Sequence, residues 1–135
     1  MSNADIIVEW DFSEIERELE KMGKDIDKLK ANATKKAAEV VKAAVERNVG
    51  RSNINKPGYV HMQDDVKISA LKEDEETGAD VREVGGGKKT GYKWRFAEYG
   101  TSRWRGNQFM TKSVNETADE VKKIIEEEIK KEVGF

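Results

Sequence analysis

A run of apolar residues at helical spacing constrains this chain more than any other feature of its sequence. After Ser13, an apolar side chain recurs every three or four positions, which places these residues on one face of a helix. Ser13, with Glu16 three residues later, is typical of a capping box at a helix start. We therefore expect one long helix, bent or broken near Gly23, that ends around residues 48–50. Its apolar stripe consists of Ile15, Leu19, Met22, Ile26, Leu29, Ala33, Ala37, Val40 and Ala44.

Three short segments alternate apolar and polar residues, as half-buried strands do. The first covers residues 6–12, before the long helix. The other two, residues 66–70 and 81–84, flank an acidic turn at residues 73–78. Because the connection between them is short, we expect these neighbouring strands to pair in antiparallel fashion.

A fourth strand is predicted over residues 92–96. Tyr92, Trp94 and Phe96 would share one face of this strand, and Lys93 and Arg95 would share the other. Aromatic residues are enriched in strands, which supports the assignment. A turn follows at residues 99–102.

A final helix is predicted from about Phe109 to Lys131, with an apolar stripe at Val114, Ala118, Val121, Ile125 and Ile129. Together these elements indicate one α+β domain spanning residues 1–135. We expect an antiparallel sheet of three to four strands, packed on one face against the long N-terminal helix and the C-terminal helix.

Composition narrows the possible classes of protein. The 135 residues include no cysteine, so disulfides, thiolate metal sites and cysteine nucleophiles are excluded. No apolar run approaches the roughly 20 residues that a membrane helix needs, and the first residues do not resemble a signal peptide. Charged residues make up 39% of the chain and apolar residues only 36%, so we expect a small core completed by contact with partner subunits.

Candidate catalytic and metal-binding groups are few. His61 is the only histidine and has no marked nucleophile partner nearby. The acidic pair Asp64-Asp65 and the acidic run at residues 73–76 lack the ligand spacing of a calcium loop, and we interpret both as solvated turns. Residues 85–90 lack the spacing of a phosphate-binding loop, so residues 85–91 are interpreted as a mobile connection that becomes ordered on contact. We expect no enzyme activity, no cofactor and no metal.

Residues 88–105 form a basic segment in which aromatic residues are interleaved with cations. The segment contains six cations and a single carboxylate, Glu98, and Trp94 and Trp104 lie among the cations. The cations are Lys88, Lys89, Lys93, Arg95, Arg103 and Arg105. This pattern suits a small nucleic-acid-binding module, in which cations meet phosphates and aromatic rings stack on bases. The favoured interpretation is different: Trp94 belongs to the core and the cations solvate an exposed sheet face. A third possibility is an acidic protein surface, such as the carboxylates of the final helix in a head-to-tail assembly.

The end of the predicted aromatic strand carries a short motif, Phe96-Ala97-Glu98-Tyr99-Gly100-Thr101-Ser102, which is followed by Asn107-Gln108-Phe109-Met110. This motif resembles the signature of the small tail-completion or head–tail joining proteins of long-tailed bacteriophages, which are also known as minor tail components. Those proteins place an aromatic strand before Glu-aromatic-Gly-Thr and open their last helix with a similar element. Here Gln108 stands in place of their usual proline.

The resemblance implies a non-enzymatic structural role in the virion. It implies a ring, hexameric in relatives, at the head-proximal end of the tail. The partners would be copies of the chain, phage tail-tube and head-connector proteins, and possible DNA in the channel, with no membrane. A protomer that is monomeric alone would order its loops during assembly, in the virion and before that in the host cytoplasm. We expect contacts at residues 73–78, 85–91 and 100–108.

The motif residues have structural roles in this interpretation. Gly100 can adopt positive φ and reverse the chain. Glu98, a carboxylate among aromatic rings, needs a partner such as Arg103, Arg105 or backbone N–H groups of the turn. Phe109 would anchor the final helix on the sheet. The predicted fold-signature set is Trp94, Phe96, Glu98, Tyr99, Gly100, Thr101 and Phe109, and the predicted contact set is Lys88, Lys89, Lys93, Arg95, Arg103, Trp104 and Arg105.

Overall fold

The computed structural model describes residues 5–103 and 105–134 of the chain. Strands and helices follow in the order β1 (Ile6–Trp10), α1 (Ser13–Lys21), α2 (Ile26–Asn48), β2 (Val66–Ile68), β3 (Lys72–Glu73), β4 (Asp80–Gly86), α3 (Trp94–Tyr99) and α4 (Phe109–Val133). Single 3₁₀ turns at Met62–Asp64 and Gly91–Lys93 precede β2 and α3.

The sheet is antiparallel, as predicted, and β4 is its central strand. β1 pairs along one edge of β4, from Ile6 opposite Val84 to Trp10 opposite Asp80. β2 pairs with the last residues of β4, and the two-residue β3 pairs with its first residues. Since β1, β2 and β3 all run against β4, the ends of β1 and β3 meet at the start of β4.

The long helix α2 and the C-terminal helix α4 pack on the sheet, which confirms the predicted α+β architecture. Ala33, Ala37 and Ala44 of α2 are fully buried, and their small side chains let neighbouring elements approach closely. The largest fully buried side chains are Trp94, Phe12, Phe109, Leu19 and Ile125. The core therefore contains side chains from both ends of the chain, from Ile6 in β1 to Ile125 in α4.

The predicted long helix is two helices, with a break at Gly23. Gly23 has a φ of +72°, and the N–H of Lys24 donates to the carbonyl of Leu19, which is the geometry of a Schellman C-cap. α2 then begins afresh, because the Asp25 carboxylate accepts a hydrogen bond from the N–H of Lys28 at 3.1 Å. The capping box predicted at Ser13 was wrong: the Asp11 carboxylate accepts from the N–H of Ser13 instead.

The strand predicted over residues 92–96 was also wrong, because these residues are helical. Residues four apart share a face of a helix, so Tyr92 and Phe96 lie together on the exposed side. Trp94 lies on the opposite side and is fully buried. Alternation over only five residues fits this arrangement as well as it fits a strand.

The glycine run at residues 85–87 is not a mobile connection. Gly85 and Gly86 are buried and form the end of β4. A Cβ atom on Gly86 would lie 2.6 Å from both Gly91 Cα and Trp94 Nε1, and one on Gly87 would overlap the Asp65 carboxylate. Asp65 is itself buried and accepts a hydrogen bond from the Thr90 hydroxyl at 2.9 Å, so the predicted solvated turn is wrong at this residue. These glycines permit close packing.

The apolar stripe predicted for α4 is correct in the second half of the helix and wrong in the first half. Ile125 is buried, and Val121 and Ile129 pack against the core. Val114 and Ala118 are exposed, and Phe109, Ser113 and Thr117 are buried instead. The hydroxyls of Ser113 and Thr117 donate to the carbonyls of Phe109 and Ser113, each at 2.7 Å. Because these internal hydrogen bonds satisfy both hydroxyls, polar residues can occupy the helix interface that an apolar-only stripe would miss.

Candidate interaction surface around α3

The cations of the predicted contact set surround α3 and are accessible. Lys88, Lys89, Arg95, Arg103 and Arg105 are exposed and Lys93 is half-buried, whereas Trp104 lies outside the described residues. Within the part of the chain that the structure describes, none of these six cations forms an ion pair. The charges of the five exposed cations are therefore accessible to a partner, and Lys93 contacts the Tyr59 ring.

The one carboxylate of this segment, Glu98, is not available to balance those cations. Its side chain is 2% exposed and accepts hydrogen bonds from the N–H groups of Met110 and Thr111, at 2.6 and 3.3 Å, and from the Thr111 hydroxyl. The first N–H groups of a helix have no partner within the helix and carry partial positive charge. Glu98 therefore caps α4 from a distance, while Gln108, at the helix N-cap, provides no side-chain cap.

The prediction that Glu98 needs hydrogen-bond donors is confirmed, but the predicted donors were wrong. A carboxylate among aromatic residues does find hydrogen-bond donors, yet they are neither Arg103 and Arg105 nor the N–H groups of the Gly100 turn. Gly100 itself adopts a φ of +85°, as predicted. Phe109 is fully buried and packs edge-on against Trp94, with ring centroids 5.1 Å apart, so it anchors α4 through α3.

A groove of about 600 Å³ opens beside the basic residues on one side of α3. Its floor and walls are mainly apolar, with Lys93 and Arg105 among them; the full lining is Tyr59, Met62, Tyr92, Lys93, Phe96, Ala97, Arg105 and Asn107. The Lys93 ammonium lies 4.8 Å from the centre of the Tyr59 ring and 3.3 Å from its hydroxyl. Hydrogen bonds with Ser52 and then Lys93 lower the pKa of the Tyr59 hydroxyl below its ordinary value.

A second, shallower groove lies on the other side of α3. Ile7, Tyr99 and Val114 line it and are 59%, 73% and 42% exposed, and Met110 lies beside them. The two grooves together hold most of the large apolar side chains that the described chain exposes. Contiguous exposed apolar surface on a small protein marks a site of contact with another molecule.

The grooves contain residues that sequence reasoning did not single out. Tyr59 and Met62 come from the loop before β2, and Ile7 comes from the outer face of β1. Isolated apolar residues in a polar loop carry no periodic signal. Their exposure beside α3 became visible only with the tertiary structure.

Two further candidates from the sequence are His61 and the clustered acidic side chains. His61 is half-buried, stacks edge-on against Tyr59 and lies 3.5 Å from the Ser52 hydroxyl. In residues 5–103 and 105–134, no group of three or more histidine or acidic side chains is placed to hold a metal ion. Among the helices of these residues, none has the length and apolar character to cross a membrane.

The fold and this surface define a small α+β domain that presents apolar grooves and unpaired cations around one short helix. A sequence model of the HK97-gp10-like family, described as a bacteriophage tail component, matches residues 13–100, about two thirds of the chain. The chain belongs to this family of phage tail components, as the motif resemblance indicated, and a tail component is part of the virion. No curated protein and no solved structure matches the chain significantly.

The family match runs from the start of α1 to Gly100, immediately after α3. It therefore includes Glu98-Tyr99-Gly100 and most residues of the larger groove. The Asn107–Met110 element and α4 lie beyond it.

Proposed function

We propose that this chain is a non-enzymatic neck protein that completes the tail or joins it to the head. It acts as a ring at the head-proximal end of the tail, in contact with tail-tube and head-connector proteins. The family match to phage tail components is the observation that carries this proposal. The motif at residues 96–102, with its resemblance to tail-completion proteins, supports the more specific role.

The surface around α3 supports an assembly role. Tyr92, Phe96 and Tyr99 are 58%, 49% and 73% exposed, although they belong to a helix only one turn and a half long and its preceding turn. With 39% of residues charged, the chain has few apolar residues to spare for its surface. Exposed aromatic residues in this setting are best explained by burial in an assembly.

A deletion of the gene in its phage or prophage tests the proposal. We expect filled heads and separate tails, or tails of abnormal length, without joined infectious particles. Purified chain added to the extract should restore infectivity. Normal particles from the deletion strain would contradict the proposal.

Variants of the chain test whether the exposed aromatic residues of α3 are needed for this role. Phe96→Asp combined with Tyr99→Asp should preserve the fold, since both side chains are exposed, and should fail to restore particles. The exposed pair Lys122→Asp and Lys123→Asp on α4 is the matched control and should restore them. His61→Ala should also restore particles fully, because no step of assembly requires imidazole chemistry.

Binding to nucleic acid is the second candidate function, and the six unpaired cations around α3 favour it. A protein that neutralises phosphates loses affinity with salt, with a log–log slope of about −0.9 per phosphate contact on duplex DNA. We expect weak DNA binding with a steep slope that Arg95→Ala and Arg103→Ala together reduce. Binding that is absent at low salt, or insensitive to both substitutions, would reject a DNA-contacting role for this surface.

A further inference from the structure

Carboxylates concentrate at the end of the sheet where β4 begins. The acidic end is defined as residues 9–16 and 72–80, which contain nine carboxylates and one lysine. The topology brings these segments together, since Trp10 and Glu73 both lie opposite Asp80. Burial raises the pKa of Asp80, and Glu73 and Glu16 add to the rise, whereas Lys30 opposes it. Lys30 forms ion pairs with Asp80 and Glu16, each at 3.5 Å, which leaves seven other carboxylates at this end of the sheet.

The cations lie at the opposite end of the same strand. β4 ends at Gly86, and the basic end, residues 88–105, follows at once. The seven residues of β4 separate the two ends by about 20 Å at the usual strand rise. Because charges are screened over about 8 Å at physiological salt, the two ends do not neutralise each other within one molecule.

The hairpin tip, residues 73–78, carries four of the nine carboxylates of the acidic end, and hydrogen bonds within the turn shape it. The Asp74 carboxylate accepts hydrogen bonds from the N–H groups of Glu76 and Thr77, at 2.9 and 3.4 Å. Gly78, with a φ of +75°, donates its N–H to the Asp74 carbonyl at 2.8 Å. Asp74 is therefore engaged with its own turn, while Glu75 and Glu76 are exposed. A preformed tip loses little entropy on docking.

We infer that the hairpin tip of one copy docks into the groove beside α3 of the next, with Glu75 and Glu76 facing Lys93 and Arg105. The groove offers an apolar floor for the backbone of the tip and cations for its carboxylates. Donor and acceptor surfaces lie at opposite ends of each molecule, so the contact is head-to-tail and generates a ring when the rotation closes. This inference rests on the proposed ring and identifies its interface.

The acidic residues of α4, considered from the sequence, are weaker candidates for this contact. Glu128 pairs with Lys36 at 2.6 Å and with Lys131 at 3.4 Å, and Glu116 pairs with Arg47 at 3.5 Å. The exposed carboxylates that remain on α4 alternate with lysines along the helix. The hairpin tip carries more unbalanced charge in a smaller area.

Charge reversal tests the contact. One variant reverses the groove (Lys93→Glu with Arg105→Glu), a second reverses the tip (Glu75→Lys with Glu76→Lys), and a third carries all four changes. Sedimentation velocity of nucleic-acid-free protein over a series of protein concentrations, at about 0.1 M salt where the Debye length is about 10 Å, should show the unmodified chain as a monomer when dilute and self-associated when concentrated. Each reversed variant should remain monomeric. The fourfold variant, and an equal mixture of the two reversed variants, should associate again.

Matched controls place the same charge changes on α4. Lys122→Glu with Lys123→Glu and Glu126→Lys with Glu127→Lys alter net charge by the same amounts as the groove and tip reversals. Both should associate like the unmodified chain. Association that depends on the α4 residues and not on the tip would overturn the inference, as would reversed variants that fail to restore each other.

Disulfide trapping gives a second measurement, which the absence of cysteine makes unambiguous. A chain with Glu75→Cys and Phe96→Cys should form a ladder of disulfide-linked oligomers under mild oxidation. Two cysteines about 20 Å apart in one molecule cannot bridge, because a disulfide needs Cα atoms within about 7 Å. Glu126→Cys with Phe96→Cys is the control and should give no ladder. An absent ladder, or equal ladders, would count against the contact.

The outcomes separate this inference from the proposed function. If the gene deletion blocks joining of heads to tails while groove and tip reversals restore particles normally, the neck role stands and the inferred interface fails. If the deletion strain makes normal particles while the charge reversals control self-association, the interface stands and the neck role fails.

Discussion

Glu98 is the residue whose role the structure changes most. A carboxylate that is 2% exposed would be costly without partners, and its partners are N–H groups in the first turn of α4, twelve and thirteen residues later in the chain. The sequence indicated that Glu98 needs hydrogen-bond donors. It could not indicate which ones, because their proximity depends on the turn at Gly100 and on the docking of Phe109.

Replacing Glu98 with alanine should therefore destabilise the whole domain. Loss of a charged group that satisfies buried donors costs about 1–3 kcal/mol, and we expect a decrease of that size in the free energy of unfolding in urea. Glu127→Ala, at an exposed position on α4, is the control and should change stability by less than about 0.5 kcal/mol. Equal effects of the two substitutions would show that Glu98 does not cap α4.

At the scale of elements, the contact between α2 and α4 depends on pH through Glu128. A hydrogen bond from Lys36, together with the charges of Lys36 and Lys131, lowers the pKa of Glu128 below its ordinary value of 4.5. A carboxyl whose pKa is lower in the folded state stabilises the fold above its ordinary pKa. That stabilisation is lost as pH falls through the folded value.

We expect Glu128→Gln to reduce the loss of stability on acidification. The free energy of unfolding should be measured for the variant and the unmodified chain from about pH 6 to about pH 3, a range that spans the ordinary carboxyl values. The difference in the free energy of unfolding between Glu128→Gln and the unmodified chain should disappear at low pH. Asp80 has a raised pKa, so its contribution runs in the opposite direction, and only the difference between variants isolates Glu128. Glu126→Gln is the control, and a difference independent of pH would refute the assignment.

Elements with long periodic patterns were predictable, and short ones were not. The helical spacing predicted the end of α2 near Asn48 and the start of α4 at Phe109. The break at Gly23 was foreseen as one of two alternatives, because glycine is a poor helix former. The structure shows why the helix breaks there: Gly23 adopts positive φ, and Asp25 caps a new helix. By contrast, five alternating residues at 92–96 could not distinguish a strand from a short helix. Burial of Trp94 against Gly86 and Phe109 decides that case.

For the whole molecule, α4 is essential to the fold although the family match ends before it. Phe109 and Ile125 of α4 are fully buried, and Glu98 would lose its hydrogen-bond donors without this helix. A chain truncated after Gly106 should therefore lack a cooperative unfolding transition, as measured by circular dichroism during heating. A chain ending at Val133 is the control and should unfold cooperatively. Cooperative unfolding of the shorter chain would show that residues 1–106 fold without α4.

The net charge of the whole chain does not show how charge is distributed over the folded molecule. The formal net charge of −2 by itself gives no argument for a nucleic-acid or membrane partner. The acidic segments at residues 9–16 and 72–80 are visible in the sequence, but only the pairing of Trp10 and Glu73 with Asp80 joins them at one end of the sheet. The basic segment was recognised from the sequence because it is continuous. The acidic end was missed because it is assembled from two segments.

The bond between Glu98 and the start of α4 has a mechanical consequence. α3 bears the exposed aromatic residues on its outer side and Glu98 on its inner side, so it stands between the grooves and a 25-residue helix about 37 Å long. A force applied at Phe96 therefore reaches α4 by two routes, the hydrogen bonds of Glu98 and the ring contact between Trp94 and Phe109. Because α4 packs along α2, such a load is shared by both long helices and does not remain in the short one.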